Sequence, residues 1–312
     1  MKTIRLSVYG GYENLKLEDN IPEPDLSENQ ALVEIYASCV NPFDTFIIKG
    51  YMKDIKPLSL PFTPGGDFSG VIKQLAPGVK DFKTGDEVYG TAIVFSGGSG
   101  AYAQVAAVNV KRMALKPSGL SHEEAASLHL VGVSTIQAIV ENIKLRKGQK
   151  ILIHGGAGGI GTVAIQLAKH IGAYVATTVS GDDMEYAKKL GADEIIDYRK
   201  EKFEEKLRDF DAVYDTIGGE VMEKSFIVLK KGGILTSMKG APNKELADRY
   251  GVTGIATNTS SNTERLMLLS KLVNEKVILP QVDKIFPLEK TEAAFVYKEQ
   301  NHPKGKVVIK IK

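Results

Sequence analysis

Residues 150–180, KILIHGGAGGIGTVAIQLAKHIGAYVATTVS, constrain the fold more than any other part of the chain. A short apolar run enters a glycine cluster, a helical pattern leaves it, and a second apolar run ends on Ser180. Gly156, Gly158 and Gly161 fit G-x-G-x-x-G, a weak signal alone but a specific one between a strand and a helix. The first glycine permits a tight turn. The second lets the backbone approach a pyrophosphate, and the third lets helix and strand pack closely. Gly159 and Ile160, between them, open the helix, whose unpaired N–H groups and positive dipole end would face the phosphates.

From Lys150 onward strand-like and helix-like runs alternate, which implies a parallel, doubly wound sheet with helices on both faces. The first third reads differently. QALVEIYA, SGVIKQLAPG, GDEVYGTAIV and AYAQVAAV are short alternating runs bounded by Gly, Pro and Asp, the pattern of a small all-β barrel or sandwich. After Pro280 the alternating pattern returns in GKVVIKIK, a strand with little to pair with unless it rejoins the N-terminal sheet. The β domain is therefore expected to be discontinuous, 1–117 with 277–312, and the nucleotide domain to occupy 118–276.

In NAD-binding folds the second strand ends near a carboxylate that accepts from the adenosine ribose hydroxyl. Here it ends on Ser180. A carboxylate would repel a 2′-phosphate, whereas a hydroxyl and free amides accept one, so the reading favours NADPH over NADH. Tyr198 and Arg199, which close the next strand, reach the same edge. Asp182 and Asp183 lie just beyond Ser180 and leave NADH use open, although capping of the following helix also accounts for them.

Composition excludes several classes. The 40 Lys+Arg nearly cancel the 38 Asp+Glu, so no field favours nucleic acid. No run approaches the length of a membrane span, and the N-terminus lacks a leader's apolar core. Cys39 is the only cysteine, which excludes an intrachain disulfide and a multi-thiolate zinc site and fits a reducing, cytoplasmic setting.

NPFDTFIIKGY, PFTPGGDFSGVI, AASLHLVGVSTIQAI, ILIHGGAGGIG and PLEKTEAAF…GKVVIKI together resemble the medium-chain dehydrogenase/reductase superfamily over nearly the whole chain. The implied fold is α/β, a Rossmann doubly wound parallel sheet inserted in a GroES-like β-barrel catalytic domain. Zinc members read Gly-His-Glu where this chain has Gly65, Gly66 and Asp67, and carry a cysteine ligand where it has Asn41. With those ligand types absent, the chain is similar to the zinc-independent branch, the quinone oxidoreductases, zeta-crystallin-like proteins and enone reductases, with no metal.

That resemblance implies a catalytic pocket with Tyr51 and Asn41. It implies a nicotinamide lining of Ser237, Met238, Lys239 and Gly240 together with Ala256, Thr257 and Asn258, and a homodimer. Phe46 stands where many quinone oxidoreductases have a second tyrosine. Ser134 either touches the nicotinamide or caps a helix, and His129 is the one histidine whose position in an apolar run near the pocket draws notice. The expected activity is hydride transfer from NADPH to a quinone or an α,β-unsaturated carbonyl, the partner being a small electrophile. The alternative is a non-catalytic NADPH-binding protein of the same family. Tyr51 is the expected donor to the developing oxyanion, or else positions the cofactor.

Overall fold

The computed structural model describes residues 1–312. The chain forms two compact units, Met1–Leu130 with Ser261–Asn274 and Pro280–Lys312, and Val131–Ser260 with Glu275–Leu279.

The first unit is built on β1 (Thr3–Leu6), β2 (Leu15–Glu18), β3 (Gln30–Cys39), β4 (Asp67–Leu75), β5 (Glu87–Thr91), β6 (Val105–Asn109) and β7 (Met113–Leu115). β3 is ten residues long because two strands share one of its sides. β6 pairs with its first half and the C-terminal strand with its last turn of residues, while β4 runs along the other side. Alternation decides the faces: Val33 and Ile35 are fully buried with Phe68, Ile72 and Met113, while Glu34 and Tyr36 are half-buried. A second core gathers Leu6, Ile48, Phe62, Tyr102 and Phe295. Helix α1 (Pro42–Ile48) starts with proline in its first turn, where no intrahelical N–H is needed. Helix α2 (His122–Ala126) opens on a capping box in which Ser121 and Glu124 satisfy each other's backbone N–H groups.

The second unit holds six parallel strands, β8 (Lys150–His154), β9 (Tyr174–Val179), β10 (Glu194–Asp197), β11 (Phe210–Asp215), β12 (Leu229–Ser237) and β13 (Thr253–Ala256). Their order is β10-β9-β8-β11-β12-β13. This is the dinucleotide-binding arrangement, in which strand order reverses beside β8 and ligands sit outside the carboxyl ends of the strands. Helix α3 (His129–Thr135) runs on into a π-helix over Ile136–Ile143, and α4 (Gly159–Ile171) follows β8. Gly172 ends α4 in the left-handed conformation, as its place after the helical pattern suggests.

The last strands, β14 (Val282–Pro287) and β15 (Lys306–Lys310), belong to the first unit, and β15 pairs antiparallel with β3 through Val308 opposite Cys39. The crossings differ from the expected 117/118 and 276/277: residues 118–130 and 261–274 belong to the β unit. α2 packs on β3 and β4, and the helix Thr263–Asn274 packs on β7 and accepts a hydrogen bond from Tyr89 Oη at Leu266 O, 2.8 Å. Both helices are amphipathic, and an apolar face does not say which sheet it covers.

His154, at the end of β8, is fully buried between Thr178 Oγ1 (3.0 Å) and Ser225 Oγ (2.9 Å). Burial pulls its pKa down to about 4, against the opposing charges of Asp215 and Glu204. The unfolded chain takes up this proton below about 6.5, the folded one only below about 4. Between those values the unfolded state binds more protons, so stability falls as pH falls, by about 3 kcal/mol in all from this group. Asp44 works in the opposite sense, since its carboxyl is raised to about 7. The difference between wild type and His154→Gln in urea unfolding at pH 7, 6 and 5 isolates the histidine. The gap should narrow as pH falls, and a constant gap would refute its assignment as a buried neutral ring.

Candidate cofactor and catalytic site

The cofactor residues expected from sequence fall on one edge of the second unit. All six strands are parallel, so their carboxyl ends align. The glycine turn follows β8; Ser180 follows β9; Tyr198 and Arg199 follow β10; Ser237 ends β12 and Ala256 ends β13. Within the turn each glycine has its own reason. A Cβ on Gly161 would stand 2.2 Å from Gly155 O and 2.6 Å from Gly156 Cα, and one on Gly156 would stand 2.2 Å from Thr177 Oγ1. At Gly158 the nearest protein atom would be Gly155 O at 3.4 Å, so packing does not require glycine there and the backbone is open to close approach. Gly158 is the N-cap of α4, and the first bond of the helix runs from Thr162 N to Gly158 O. The N–H groups of Gly159, Ile160 and Gly161 precede it and have no intrahelical partner. This cradle fits a pyrophosphate.

At the β9 edge, Ser180 Oγ donates to Asp183 Oδ2 at 2.7 Å, and Arg199 Nη1 stands 3.7 Å from Asp182. Arg199 also lies over the exposed Tyr198 ring. The Arg199 guanidinium thus stands on this edge with two carboxylates, and the Ser180 hydroxyl, expected to be free, has its proton on one of them.

The lining segments are held from beneath. Ser237 Oγ donates to Asp215 Oδ2 (2.7 Å) and accepts from Lys239 N (3.0 Å), while Met238 N bonds Asp215 O (3.0 Å). Asp215 is buried and takes the N–H groups of Ile217 and Gly218 on its other oxygen. Gly240 has φ 125, a conformation glycine adopts without strain. Side chains of α3 and the π-helix hold the other segment: Asn142 donates to Thr257 Oγ1 (2.8 Å), Gln137 Nε2 to Asn258 O (3.1 Å), and Ser134 Oγ lies 2.7 Å from Thr259 Oγ1. Ser134 is buried inside its helix run and holds this segment through a side-chain bond.

In the first unit, Tyr51 follows α1, is 63% exposed and meets Phe46 edge-on with ring centroids 5.4 Å apart. Asn41, the N-cap of α1, is buried, and its amide is committed inside the protein. Nδ2 donates to Asp67 Oδ2 (3.0 Å), and Oδ1 accepts from Lys306 Nζ. Lys306, a buried lysine on β15, also donates to Val40 O (3.1 Å). Asp67 Oδ1 lies 2.6 Å from His129 Nδ1, and His129 Nε2 lies 2.9 Å from Ser261 Oγ. Asp44 accepts from Asn41 N (2.9 Å) and Tyr102 Oη (3.1 Å). Burial opposes ionisation of Asp67, but His129, Lys306 and the Asn41 amide outweigh it and hold its carboxyl below the usual range. Burial pushes Asp44 up to about 7, with the Asp67 charge adding to the shift.

Sequence reading singled out Asn41, Asp67 and His129 separately but missed that they touch. Ser261 and Lys306 carried no local signal: one lies in a polar loop, the other in an ordinary alternating strand.

Residues 27–118 match the family model described as alcohol dehydrogenase GroES-like domain, and residues 190–309 the one described as zinc-binding dehydrogenase. A NADPH-dependent alkenal/one oxidoreductase of Arabidopsis thaliana, chloroplastic, is 37% identical over 99% of this chain and 79% of its own. The quinone oxidoreductase structure from Coxiella burnetii is 33% identical, covers 100% of this chain and 99% of its own, and has a TM-score of 0.92. The Escherichia coli quinone oxidoreductase complexed with NADPH is 27% identical, covers 100% of both chains, and has a TM-score of 0.88. With this fold, a glycine cradle at the strand-order switch and relatives of that kind along its full length, the chain belongs to the medium-chain dehydrogenase/reductase superfamily, in the group of quinone and alkenal/one oxidoreductases.

Proposed function

We propose that the protein is a zinc-independent NADPH-dependent oxidoreductase that transfers hydride to a quinone or an α,β-unsaturated carbonyl. The observation that carries the reading is the glycine turn at the reversal of strand order, where a Cβ on Gly158 would meet no protein atom closer than 3.4 Å and the backbone is open to a pyrophosphate. NADPH, when bound, supplies the hydride; the protein supplies orientation and electrostatics. Gly156, Gly158 and Gly161 shape the pyrophosphate cradle, and Ser180, Tyr198 and Arg199 receive the 2′-phosphate. Ser237 to Gly240 and Ala256 to Asn258 line the nicotinamide on backbones fixed by Asp215, Gln137 and Asn142.

Metal independence is argued from the residues at the family's ligand positions. Asn41 Oδ1 already accepts from the Lys306 ammonium, a resident cation that would repel a zinc ion. Asn41 acts there as a holder of the buried network, and Tyr51 offers an exposed phenol to the acceptor. A homodimer is proposed through β13, which closes the sheet with an exposed edge whose outer N–H and C=O groups can pair with a second copy. No helix is long and apolar enough to cross a membrane. The lone, buried Cys39 suits a reducing compartment such as the cytoplasm.

The test is NADPH and NADH oxidation against quinones, enones, enals and enoyl thioesters, before and after prolonged chelation. Turnover on a quinone or enone with NADPH preferred, unchanged by chelation, is expected. Ser180→Asp should shift the preference toward NADH, because its carboxylate repels the 2′-phosphate and accepts from the ribose hydroxyl. Nucleotide binding without turnover on any acceptor would favour the non-catalytic reading instead.

A further inference from the structure

A chain of hydrogen bonds runs beneath the glycine turn, all of it inside the second unit. The Gly155 N–H is shared between Thr178 O (3.2 Å) and Thr178 Oγ1 (3.3 Å), and Gly156 N bonds Thr178 O at 3.1 Å. Thr178 Oγ1 lies 3.0 Å from His154 Nδ1, and His154 Nε2 lies 2.9 Å from Ser225 Oγ on the helix Gly219–Val228. Ser225 Oγ in turn stands 2.7 Å from Val221 O. Thr178, His154 and Ser225 are all buried.

The donors and acceptors fix the direction of every bond. A carbonyl only accepts, so Ser225 gives its one O–H to Val221 O and must accept from Nε2–H of His154. Burial keeps the ring neutral, its pKa drawn down to about 4, so Nδ1 carries no proton and accepts from the Thr178 hydroxyl. The lone pairs left on Thr178 Oγ1 face the Gly155 N–H. Protons therefore point one way, from the turn through Thr178 and the ring to the helix. The other tautomer would set an N–H against the Thr178 hydroxyl and turn that O–H toward the Gly155 N–H, donor against donor. Packing alone does not call for such a chain, because buried neutral hydrogen-bonding groups can be replaced by apolar groups of the same shape at little net cost. Thr178 also lies on β9 two residues before Ser180, so one anchor joins the turn to the strand end expected to meet the ribose.

We propose that His154 is a positioning residue for the cofactor: its Nε2–H tautomer holds the Thr178 hydroxyl as an acceptor and so sets the turn that receives the pyrophosphate. This rests on the proposed seating of NADPH on that turn. The ring acts through Thr178 and does not touch the cofactor.

Two readouts separate this role from that of a space-filling ring: the tautomer, by nitrogen NMR of histidine-labelled protein, and NADPH affinity, by nucleotide fluorescence. The His154 signals are assigned by their loss in His154→Gln. In wild type at neutral pH the proton should sit on Nε2 alone, and NADPH should shift the Nδ1 signal. Thr178→Val removes the hydroxyl and keeps the shape, and Ser225→Ala removes the acceptor at the far end of the chain. Each should lower NADPH affinity about tenfold, whereas Thr178→Ser, which keeps the hydroxyl, should stay within a factor of about two of wild type. Wild-type affinity in folded Thr178→Val and Ser225→Ala overturns the proposal and leaves NADPH binding at the turn standing. A wild-type proton on Nδ1, or an Nδ1 signal that ignores NADPH, also overturns it and needs neither variant to fold. A wild type that binds no NADPH overturns the cofactor reading itself.

Discussion

Gly161→Ala should lose most of its affinity for NADPH and a large part of the second unit's stability. The added methyl carbon would lie 2.2 Å from Gly155 O, 2.6 Å from Gly156 Cα and 2.9 Å from Gly155 C. All are backbone atoms, so no side chain can rotate away. The start of α4 has to move off the turn after β8, at a cost near the upper end of the over-packing range, about 3 kcal/mol. That movement carries the N–H groups of Gly159 and Ile160 out of register with a bound pyrophosphate. If a similar energy falls on the complex, affinity drops by roughly a hundredfold.

Gly158→Ala makes the contrast. Its Cβ would come no closer than 3.4 Å to protein, and its φ of -76 is one that alanine adopts freely. Stability should fall by no more than about 1 kcal/mol, the cost of alanine at an N-cap. NADPH affinity should nevertheless fall, because the methyl occupies the approach to the phosphates. Urea unfolding and fluorescence titration on the pair separate the two roles. A Gly161→Ala protein of wild-type stability would show that the tight approach of α4 to the turn is wrong. A Gly158→Ala protein that binds NADPH normally would remove the cofactor from that turn.

These glycines were legible in the sequence because their constraint is local: strand, turn and helix lie within a few residues of one another. The return of GKVVIKIK to the N-terminal sheet was legible too, since a lone alternating strand needs a partner and only one sheet lacked its own. The attachment of residues 118–130 and 261–274 was not, because an amphipathic helix fits any apolar surface. The network around Asp67 was hidden for a different reason. Asn41, Asp67, His129, Ser261 and Lys306 come from five separate segments, and only the folded barrel brings β15 against β3 and so Lys306 against Asn41. Ser180 was read as a free hydroxyl from its position alone; its bond to Asp183 depends on the tight turn over Gly181–Asp183.

Asp67→Ala should be the most destabilising single change in the first unit. The carboxylate takes hydrogen bonds from His129, Asn41 and Leu130 and is stabilised by the charge of the buried Lys306. Alanine leaves Lys306 with Asn41 Oδ1 and Val40 O as hydrogen-bond partners and with Asp44, whose carboxyl is raised by burial, as the one buried carboxyl that still feels its charge. Removing one member of a buried charged set typically costs about 3–5 kcal/mol, more than the set as a whole contributes, because the survivor keeps its desolvation penalty. The double variant Asp67→Ala, Lys306→Met removes that survivor and should recover part of the loss, a positive coupling that urea unfolding at pH 7 would reveal. Asp44 supplies a second readout. Part of what raises its carboxyl to about 7 is the charge of Asp67, so in Asp67→Ala its titration should move down, a shift that carbon-detected NMR can follow. In the wild type the lowered pKa of Asp67 means its stabilisation is present above the unfolded carboxyl value and is lost as pH falls through the folded one. Asp67→Ala should therefore lose its disadvantage in strong acid. A loss below about 1 kcal/mol at pH 7, with Asp44 titrating unchanged, would mean that solvent and not Asp67 screens Lys306.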